Sequence, residues 1–286
     1  MYLDYDQAAL DAAYDQHVHA ANGPQVISRY ASNSESTRRR IGPATRISYG
    51  PTPIECLEIY RTGRPGAPVF IFVHGGAWRT GRAANYAFPA ELFLNAGAHY
   101  VVLDFIGTGD EGGSLEAMVT QVRRAVAWVH ANGQSFGADP DRIFVGGHSS
   151  GGHLAALCLV TDWPEQFGLP SNLIKGGLCS SGVYDMRAVR LSARNGYLML
   201  DEASELSMSP QRHLDNLQSP LIVSYGTCET PEFRRQALEF ADAAAATGNP
   251  VTLLVGENYN HFEMLETLSS PYGLLGRAAL TQMGLA

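Results

Sequence analysis

The chain has 286 residues, of which 45% are hydrophobic, so it is long enough to bury the core of one α/β domain spanning residues 1–286. Its net charge of −8 and the lack of a clustered basic face argue against nucleic acid and anionic membranes as partners. The amino-terminal residues are acidic and no apolar run reaches membrane-spanning length, which predicts a cytoplasmic protein. The four cysteines are scattered, so neither a disulfide nor a metal site is expected.

The first part of the chain is predicted to be helical and then to begin a sheet. Within residues 1–40, Ala, Leu and Tyr alternate with charged residues at helical spacing, which predicts two helices packed outside the main sheet. Residues 44–49 and 56–61 have the composition of two strands joined by a turn, so a hairpin is expected to open the sheet. Residues 69–73 are a continuous apolar run, typical of a buried parallel strand.

A His-Gly-Gly-Ala-Trp motif, residues 74–78, follows that apolar run directly. Glycines let backbone N–H groups approach a developing oxyanion closely, so Gly75 and Gly76 are candidates for an oxyanion hole. Glycines also favour an ordinary turn between a strand and a helix. The functional interpretation is preferred because a nucleophile motif lies downstream.

Strands and helices alternate in the next part of the chain. A helix is predicted for residues 86–95, a strand for 99–105 and a strongly periodic helix for 115–132. This alternation indicates a parallel sheet. The glycine-rich loop 106–113 is either a turn or part of the substrate mouth, and the sequence leaves both open.

The most informative segment joins a predicted strand, residues 143–148, to a predicted helix, residues 152–161. Residues 147–151 between them match the pattern G-x-S-x-G, which in this context exposes a serine nucleophile beside a helix N-terminus. Ser149 is therefore the candidate nucleophile, and the N–H of Ser150 is a further candidate oxyanion donor. The alternative is a tight glycine turn with a surface serine.

Three side chains near these motifs are candidates for binding the substrate. They are Trp78, His148 and His153. For each of them, simple packing is the competing interpretation. His74 is expected to brace the loop of residues 74–78, which we call the oxyanion loop.

The carboxyl-terminal part continues the alternation after an interruption. Strands are predicted for residues 176–180, 220–225 and 251–255, with a helix for 231–247. Residues 183–217 are polar and break the rhythm, so we expect short helices that form a cap over the site. An ordinary surface connection is the alternative.

A serine nucleophile needs a histidine base, and the base needs an acceptor that fixes its tautomer. The chain order expected on this type of fold is serine, acid, histidine, and Ser149, Glu229 and His261 fit it. Both partners follow late strands, on the sheet edge where the serine emerges. Glu232 is the competing acid, but a helix starting at Pro231 would carry it away.

At these residues the sequence resembles serine hydrolases of the α/β-hydrolase fold, in the branch of hormone-sensitive-lipase-like esterases and arylformamidases (kynurenine formamidases). The resemblance is carried most specifically by residues 74–78 and 147–154. Lipases have a third glycine where this chain has Ala77, and the resulting H-G-G-x-W motif is similar to that of the arylformamidases. Residues 229–236 are also similar to that branch. After Asp104 the chain departs from the usual D-Y-R-L-x-P. The resemblance implies a mostly parallel sheet of about eight strands with helices on both faces and a small cap.

The resemblance also implies a reaction. We expect hydrolysis of a small acyl group such as formyl from an aryl amine, with N-formylkynurenine as reference substrate and an acyl-enzyme on Ser149. The open alternative is a carboxylesterase or amidase for short acyl esters or another small aromatic amide. A catalytically inactive binding protein is the alternative of a different class, and the complete triad argues against it. No metal or cofactor is implied, the expected partner is a small molecule, and a homodimer stays open.

Overall fold

The computed structural model describes residues 3–286, and its strands form one eight-stranded sheet. In chain order the strands are β1 (Thr45–Ser48), β2 (Cys56–Tyr60), β3 (Ala67–Val73), β4 (His99–Leu103), β5 (Ala138–His148), β6 (Ile174–Ser180), β7 (Leu221–Gly226) and β8 (Val251–Gly256). Across the sheet the order is β1-β2-β4-β3-β5-β6-β7-β8. The hairpin β1-β2 and the β2-β4 pair are antiparallel, and the remaining pairs are parallel. The predicted mostly parallel sheet of about eight strands is confirmed.

Helices cover both faces of the sheet. The helices are α1 (Gln7–Ala13), α2 (Gly23–Ile41), α3 (Ala90–Ala96), α4 (Leu115–Asn132), α5 (Ser150–Leu159), α6 (Trp163–Phe167), α7 (Arg187–Leu191), α8 (Asn195–Leu198), α9 (Glu202–Ser207), α10 (Pro231–Ala246), α11 (His261–Glu266) and α12 (Leu274–Gln282). Side chains of α4, α5 and α10 bury one face, whereas α2, α3, α11 and α12 bury the other. Within residues 3–286, no helix combines the length and apolar character needed to cross a membrane.

Strand β3 contributes side chains to the apolar cores on both faces of the sheet. Its side chains alternate between faces, so Val69 and Ile71 enter one core cluster and Phe70 and Phe72 enter the other. Every residue of β3 is buried, as expected for a central strand covered by helices on both sides. Burial on both faces of β3 explains why residues 69–73 form a continuous apolar run in the sequence.

Three element boundaries differ from the predictions. β5 starts at Ala138 instead of residue 143, and the pairing register with β3 shifts before Ile143, which accommodates Pro140 in the irregular stretch. α5 begins directly after Ser149 rather than at residue 152. α3 begins only after Pro89, because the residue before a proline disfavours helical geometry.

The carboxyl ends of the parallel strands lie at one edge of the sheet. Ser149 follows β5, Glu229 follows β7 and His261 follows β8, each within a few residues of the strand end. The predicted short helices of residues 183–217 are present as α7, α8 and α9 with two further helical turns. This edge is where ligands bind in open α/β sheets.

Candidate active site

Ser149 occupies a strained turn between β5 and α5. Its backbone has φ of 58° and ψ of −128°, a conformation that non-glycine residues rarely adopt. Its N–H donates to the carbonyl of Ser180 at 3.0 Å, which fixes the turn against β6. A Cβ on Gly147 would collide with the carbonyl of Gly151, so the glycines of G-x-S-x-G are required by the close crossing of strand and helix.

Three side chains from separate strand ends form one hydrogen-bonded chain. Ser149 Oγ lies 2.9 Å from His261 Nε2, and His261 Nδ1 lies 2.9 Å from Glu229 Oε2. Because a carboxylate only accepts, Nδ1–H is the donor to Glu229, and Nε2 is left to accept from the serine hydroxyl. The structure therefore brings together Ser149, His261 and Glu229, which the sequence predicts as nucleophile, base and acid.

The Glu229 carboxylate is buried and fully engaged. Its Oε1 accepts from Ser181 Oγ at 2.6 Å and from the N–H of Gly226 at 2.7 Å, while Oε2 faces His261. A buried carboxylate needs such donors to offset the loss of water. Sequence reasoning missed Ser181. Its place at the end of β6 is the signal that could have identified it, whereas its positive φ of 51° is not visible in the sequence.

The competing acid, Glu232, lies on α10 and has other partners. Arg235 contacts both of its carboxylate oxygens, at 2.7 and 2.9 Å, and Gln236 donates to Oε1 at 3.1 Å. The Tyr14 hydroxyl is 3.3 Å away. Glu232 is fully buried in this ion pair, and His261 Nδ1 is bonded to Glu229 instead.

The oxyanion-loop candidates lie directly against the serine. A Cβ on Gly75 would come 3.0 Å from Ser149 Cβ, and Gly76 has φ of 132°. Within the described part of the chain, the N–H groups of Gly75 and Gly76 donate to no backbone carbonyl. Ser150 opens α5, where the first N–H groups have no acceptor within the helix. Gly75, Gly76 and Ser150 all line the same cavity as Ser149.

The loop continues through two further strained residues that a neighbouring loop supports. Ala77 and Trp78 have φ of 54° and 60°. The Trp78 carbonyl accepts from the N–H of Thr108 at 2.9 Å and from its hydroxyl at 3.0 Å. Loop 106–113 thus supports the oxyanion loop from behind and contributes no residue to the lining of the cavity at Ser149.

The predicted substrate-binding residues separate into two groups. Trp78 and His148 line the cavity. His153 does not, because its ring is fully buried behind Trp78. The indole N–H donates to His153 Nδ1 at 3.0 Å, and Nε2 lies 2.8 Å from the Met208 carbonyl. With both ring nitrogens engaged, His153 is a neutral link between the oxyanion loop and the segment 183–217.

The remaining histidines near the serine are buried and neutral. Burial, together with the nearby charge of His261, holds the pKa of His148 well below its usual range, and its Nε2 lies 2.7 Å from the His261 carbonyl. Burial also lowers the pKa of His74, whose ring stacks between Tyr86 and Phe105. His74 Nδ1 lies 2.9 Å from the Gly75 carbonyl, where it braces the oxyanion loop.

The cavity at Ser149 has a volume of about 290 Å³ and receives residues from distant parts of the chain. The turn after α1 contributes four residues, which are Tyr14, Asp15, Gln16 and His17. Val183 and Arg194 come from the segment 183–217. Two surface grooves with larger volumes, of about 500 and 490 Å³, lie away from the triad side chains, so volume alone does not locate the site.

No cluster of three or more metal-ligating side chains occurs between residues 3 and 286.

The chain is similar to several hydrolases of known sequence or structure. The BD-FAE family model matches residues 57–174. Kynurenine formamidase of Danio rerio is 29% identical over 90% of this chain and 88% of its own length. The esterase LipQ of Mycobacterium tuberculosis is 32% identical over 68% of this chain and 48% of its own. An esterase structure from Pyrobaculum calidifontis superimposes with a TM-score of 0.73 at 18% identity, covering 98% of both chains.

This chain is a hydrolase with the α/β-hydrolase fold. It resembles kynurenine formamidases and hormone-sensitive-lipase-like esterases, as the sequence motifs predicted.

The burial of His153 gives the hydrolase a pH-dependent stability. Burial lowers the pKa of His153 from 6.5 to about 4, and the bond to the Met208 carbonyl opposes part of that shift. Between these two values the unfolded chain binds the proton and the folded chain does not, so the free energy of unfolding falls as the pH drops. His153→Gln keeps an N–H donor and does not titrate. We expect the variant to lose about 3 kcal/mol less than the parent between neutral pH and pH 4.

Urea denaturation at a series of pH values measures this difference. The buried rings of His74 and His148 titrate in both proteins and cancel in the comparison. Parallel stability profiles of parent and variant would contradict the assignment of His153 as a buried neutral link.

Proposed function

We propose that the protein transfers a small acyl group from an aryl amine to water through an acyl-enzyme on Ser149. The observation that carries this proposal is the hydrogen-bonded chain from Ser149 through His261 to the buried Glu229, because its serine and histidine line a cavity of about 290 Å³. The similarity to kynurenine formamidases over most of both chains supports a formamide of the N-formylkynurenine type.

In the first half-reaction, His261 Nε2 takes the hydroxyl proton of Ser149 while Oγ forms a bond to the carbonyl carbon. The carbonyl oxygen becomes an oxyanion, and N–H groups of Gly75 or Gly76 and of Ser150 stabilise it. When the carbon–nitrogen bond breaks, His261 returns the proton to the departing amine. Glu229 remains ionised and stabilises the imidazolium that forms between these two proton transfers.

In the second half-reaction, water attacks the acyl-enzyme. His261 Nε2 takes a proton from the water as the new carbon–oxygen bond forms, and then gives a proton to Ser149 Oγ as the ester bond breaks. For a formyl group the product is formate. Every step uses side chains and backbone groups that the chain itself provides.

Two segments shape the cavity around this machinery. The turn after α1 is fixed near the catalytic acid, because Thr230 donates to the Ala13 carbonyl at 2.7 Å and Gln16 accepts from the N–H of Thr230 at 3.2 Å. The segment 183–217 contributes Val183 and Arg194 to the lining. We assign the cap function to both segments together, and it determines which leaving groups fit.

The second candidate function is a carboxylesterase for short acyl esters. The relatives include esterases, among them the esterase LipQ and an isoprenylcysteine α-carbonyl methylesterase of Arabidopsis thaliana. The same nucleophile, base and oxyanion donors cleave an ester or an amide. The two functions differ in the leaving group, and measuring turnover distinguishes them.

Turnover of N-formylkynurenine and p-nitrophenyl acetate, measured side by side with the purified protein, tests the proposal. We expect a larger kcat/KM for the formamide. Both activities should fall by several orders of magnitude in Ser149→Ala, because the nucleophile is lost while binding remains. Ester turnover alone, also lost in the variant, would favour the carboxylesterase. Near-normal activity in Ser149→Ala would contradict both.

Substitution of the two neighbouring acids tests the assignment of Glu229. Glu229→Gln keeps the shape and removes the charge that stabilises His261, so we expect kcat to fall by about 10³- to 10⁴-fold. Glu232→Gln removes a charge of the same type from a buried ion pair with Arg235, so it should lower the thermal midpoint while kcat stays near that of the parent.

Kinetics and thermal denaturation of both variants give the comparison. The reverse pattern, with kcat lost in Glu232→Gln and kept in Glu229→Gln, would assign the catalytic acid to Glu232.

A further inference from the structure

We propose that Arg194, assisted by Arg79, binds a carboxylate group of the substrate and makes the enzyme selective for acidic acyl donors. This inference rests on the proposed acyl transfer at Ser149, and it specifies the chemistry of the leaving group away from the scissile bond.

Arg194 lies where the catalytic cavity meets a second, shallower one. It lines both the cavity at Ser149 and an adjoining cavity of about 290 Å³. Ala77, next to the glycines of the oxyanion loop, also lines both, and Arg79 lines the adjoining cavity. A leaving group that extends from Ser149 past Ala77 therefore approaches the two guanidinium groups.

The Arg194 guanidinium has a hydrogen-bond donor left over. One terminal nitrogen donates to the Tyr197 hydroxyl at 3.0 Å and the other to the Tyr14 carbonyl. Its Nε is buried and has no partner. A buried donor without an acceptor costs free energy, so the protein leaves the guanidinium incompletely hydrogen-bonded at a residue that lines both cavities.

Neither guanidinium is neutralised by a carboxylate of the protein. Within residues 3–286, no ion pair involves Arg194 or Arg79. The Arg79 guanidinium lies 4.9 Å from the centre of the Tyr197 ring, and Arg194 donates to the hydroxyl of the same tyrosine. Two guanidinium groups without an ion pair locally favour an anionic ligand.

The acidic side chains at the same place already accept hydrogen bonds from the protein. Asp15 accepts from the N–H of His17 at 3.0 Å. Asp11 accepts from the Gln7 side chain at 2.9 Å and from the N–H of Ala193 at 2.6 Å. The hydrogen-bond donors of the charged groups here belong to the two arginines, because carboxylates only accept. A carboxylate suits them because its two oxygens match the planar arrangement of guanidinium N–H groups.

A purely structural role for Arg194 makes a different prediction. Its bonds to Tyr14 and Tyr197 tie the turn after α1 to α8. Loss of such a tie would weaken folding and affect every substrate alike. Loss of a carboxylate-binding residue affects only substrates that carry the carboxylate, and it acts mainly on KM.

The experiment compares the parent with Arg194→Gln and a matched control, Arg212→Gln. Arg212 belongs to the same segment, pairs with Asp185 at 3.1 Å and lines neither cavity, so its substitution removes an equal charge elsewhere. One substrate pair is N-formylkynurenine and its carboxamide. The other is the acetate ester of a phenol that bears a propanoate chain, and the same ester with that chain as a propanamide.

We expect Arg194→Gln to raise KM about 10- to 100-fold more for each carboxylate than for its matched uncharged substrate. Arg212→Gln should leave all four substrates unchanged, and Arg194→Lys should keep part of the preference because it keeps the charge. Equal KM for carboxylate and carboxamide in the parent would overturn the proposal. So would a uniform loss on all four substrates in Arg194→Gln together with a lower Tm.

The two substrate pairs separate this inference from the proposed function. Turnover of the esters alone would refute the formamidase, yet the ester pair would still test Arg194. Turnover of both formamides with equal KM in parent and Arg194→Gln would retain the proposed function and refute the carboxylate site.

Discussion

The buried carboxylate of Glu229 imposes the constraint on which the site depends. Removed from water, it must be met by donors, and three come from three strand ends: the His261 ring, the Ser181 hydroxyl and the Gly226 N–H. Because β6, β7 and β8 are adjacent and parallel, these donors arrive at one sheet edge. The sheet order thus orients His261, and through it Ser149. The sharp turn at Ser149 completes the arrangement, because it places the serine hydroxyl within hydrogen-bond distance of the imidazole.

Around this fixed centre, the cavity walls come from parts of the chain that are less regular. The turn after α1 and the segment 183–217 supply the groups that a leaving amine or alcohol would meet, among them Tyr14, Asp15 and Arg194. His153 joins the two systems, because it holds the Trp78 indole on one side and the Met208 carbonyl on the other. The proposed catalytic residues and the cavity walls that would contact a substrate therefore lie on different elements, as is common for loops on a rigid scaffold.

The sequence predicts the scaffold and the triad candidates because each leaves a local signal. The run of residues 69–73, the G-x-S-x-G turn and the order serine, acid, histidine are patterns over short distances. What it misses depends on contacts between distant segments. The turn after α1 lines the cavity because Thr230 holds it there, and Ser181 meets Glu229 through sheet order. The sequence predicts His153 at the pocket, whereas its buried ring contacts the indole of Trp78, which lines the cavity in its place. No spacing in the sequence reveals this packing.

We propose that His261, oriented by Glu229, makes the Ser149 hydroxyl nucleophilic. Incubation with a fluorophosphonate, followed by intact-mass measurement and peptide mapping, tests it most directly because no natural substrate is needed. We expect one adduct per chain, on Ser149, and we expect it to form several orders of magnitude more slowly in His261→Ala. An adduct on another residue, no adduct in the folded parent, or equal labelling rates in parent and His261→Ala would contradict it.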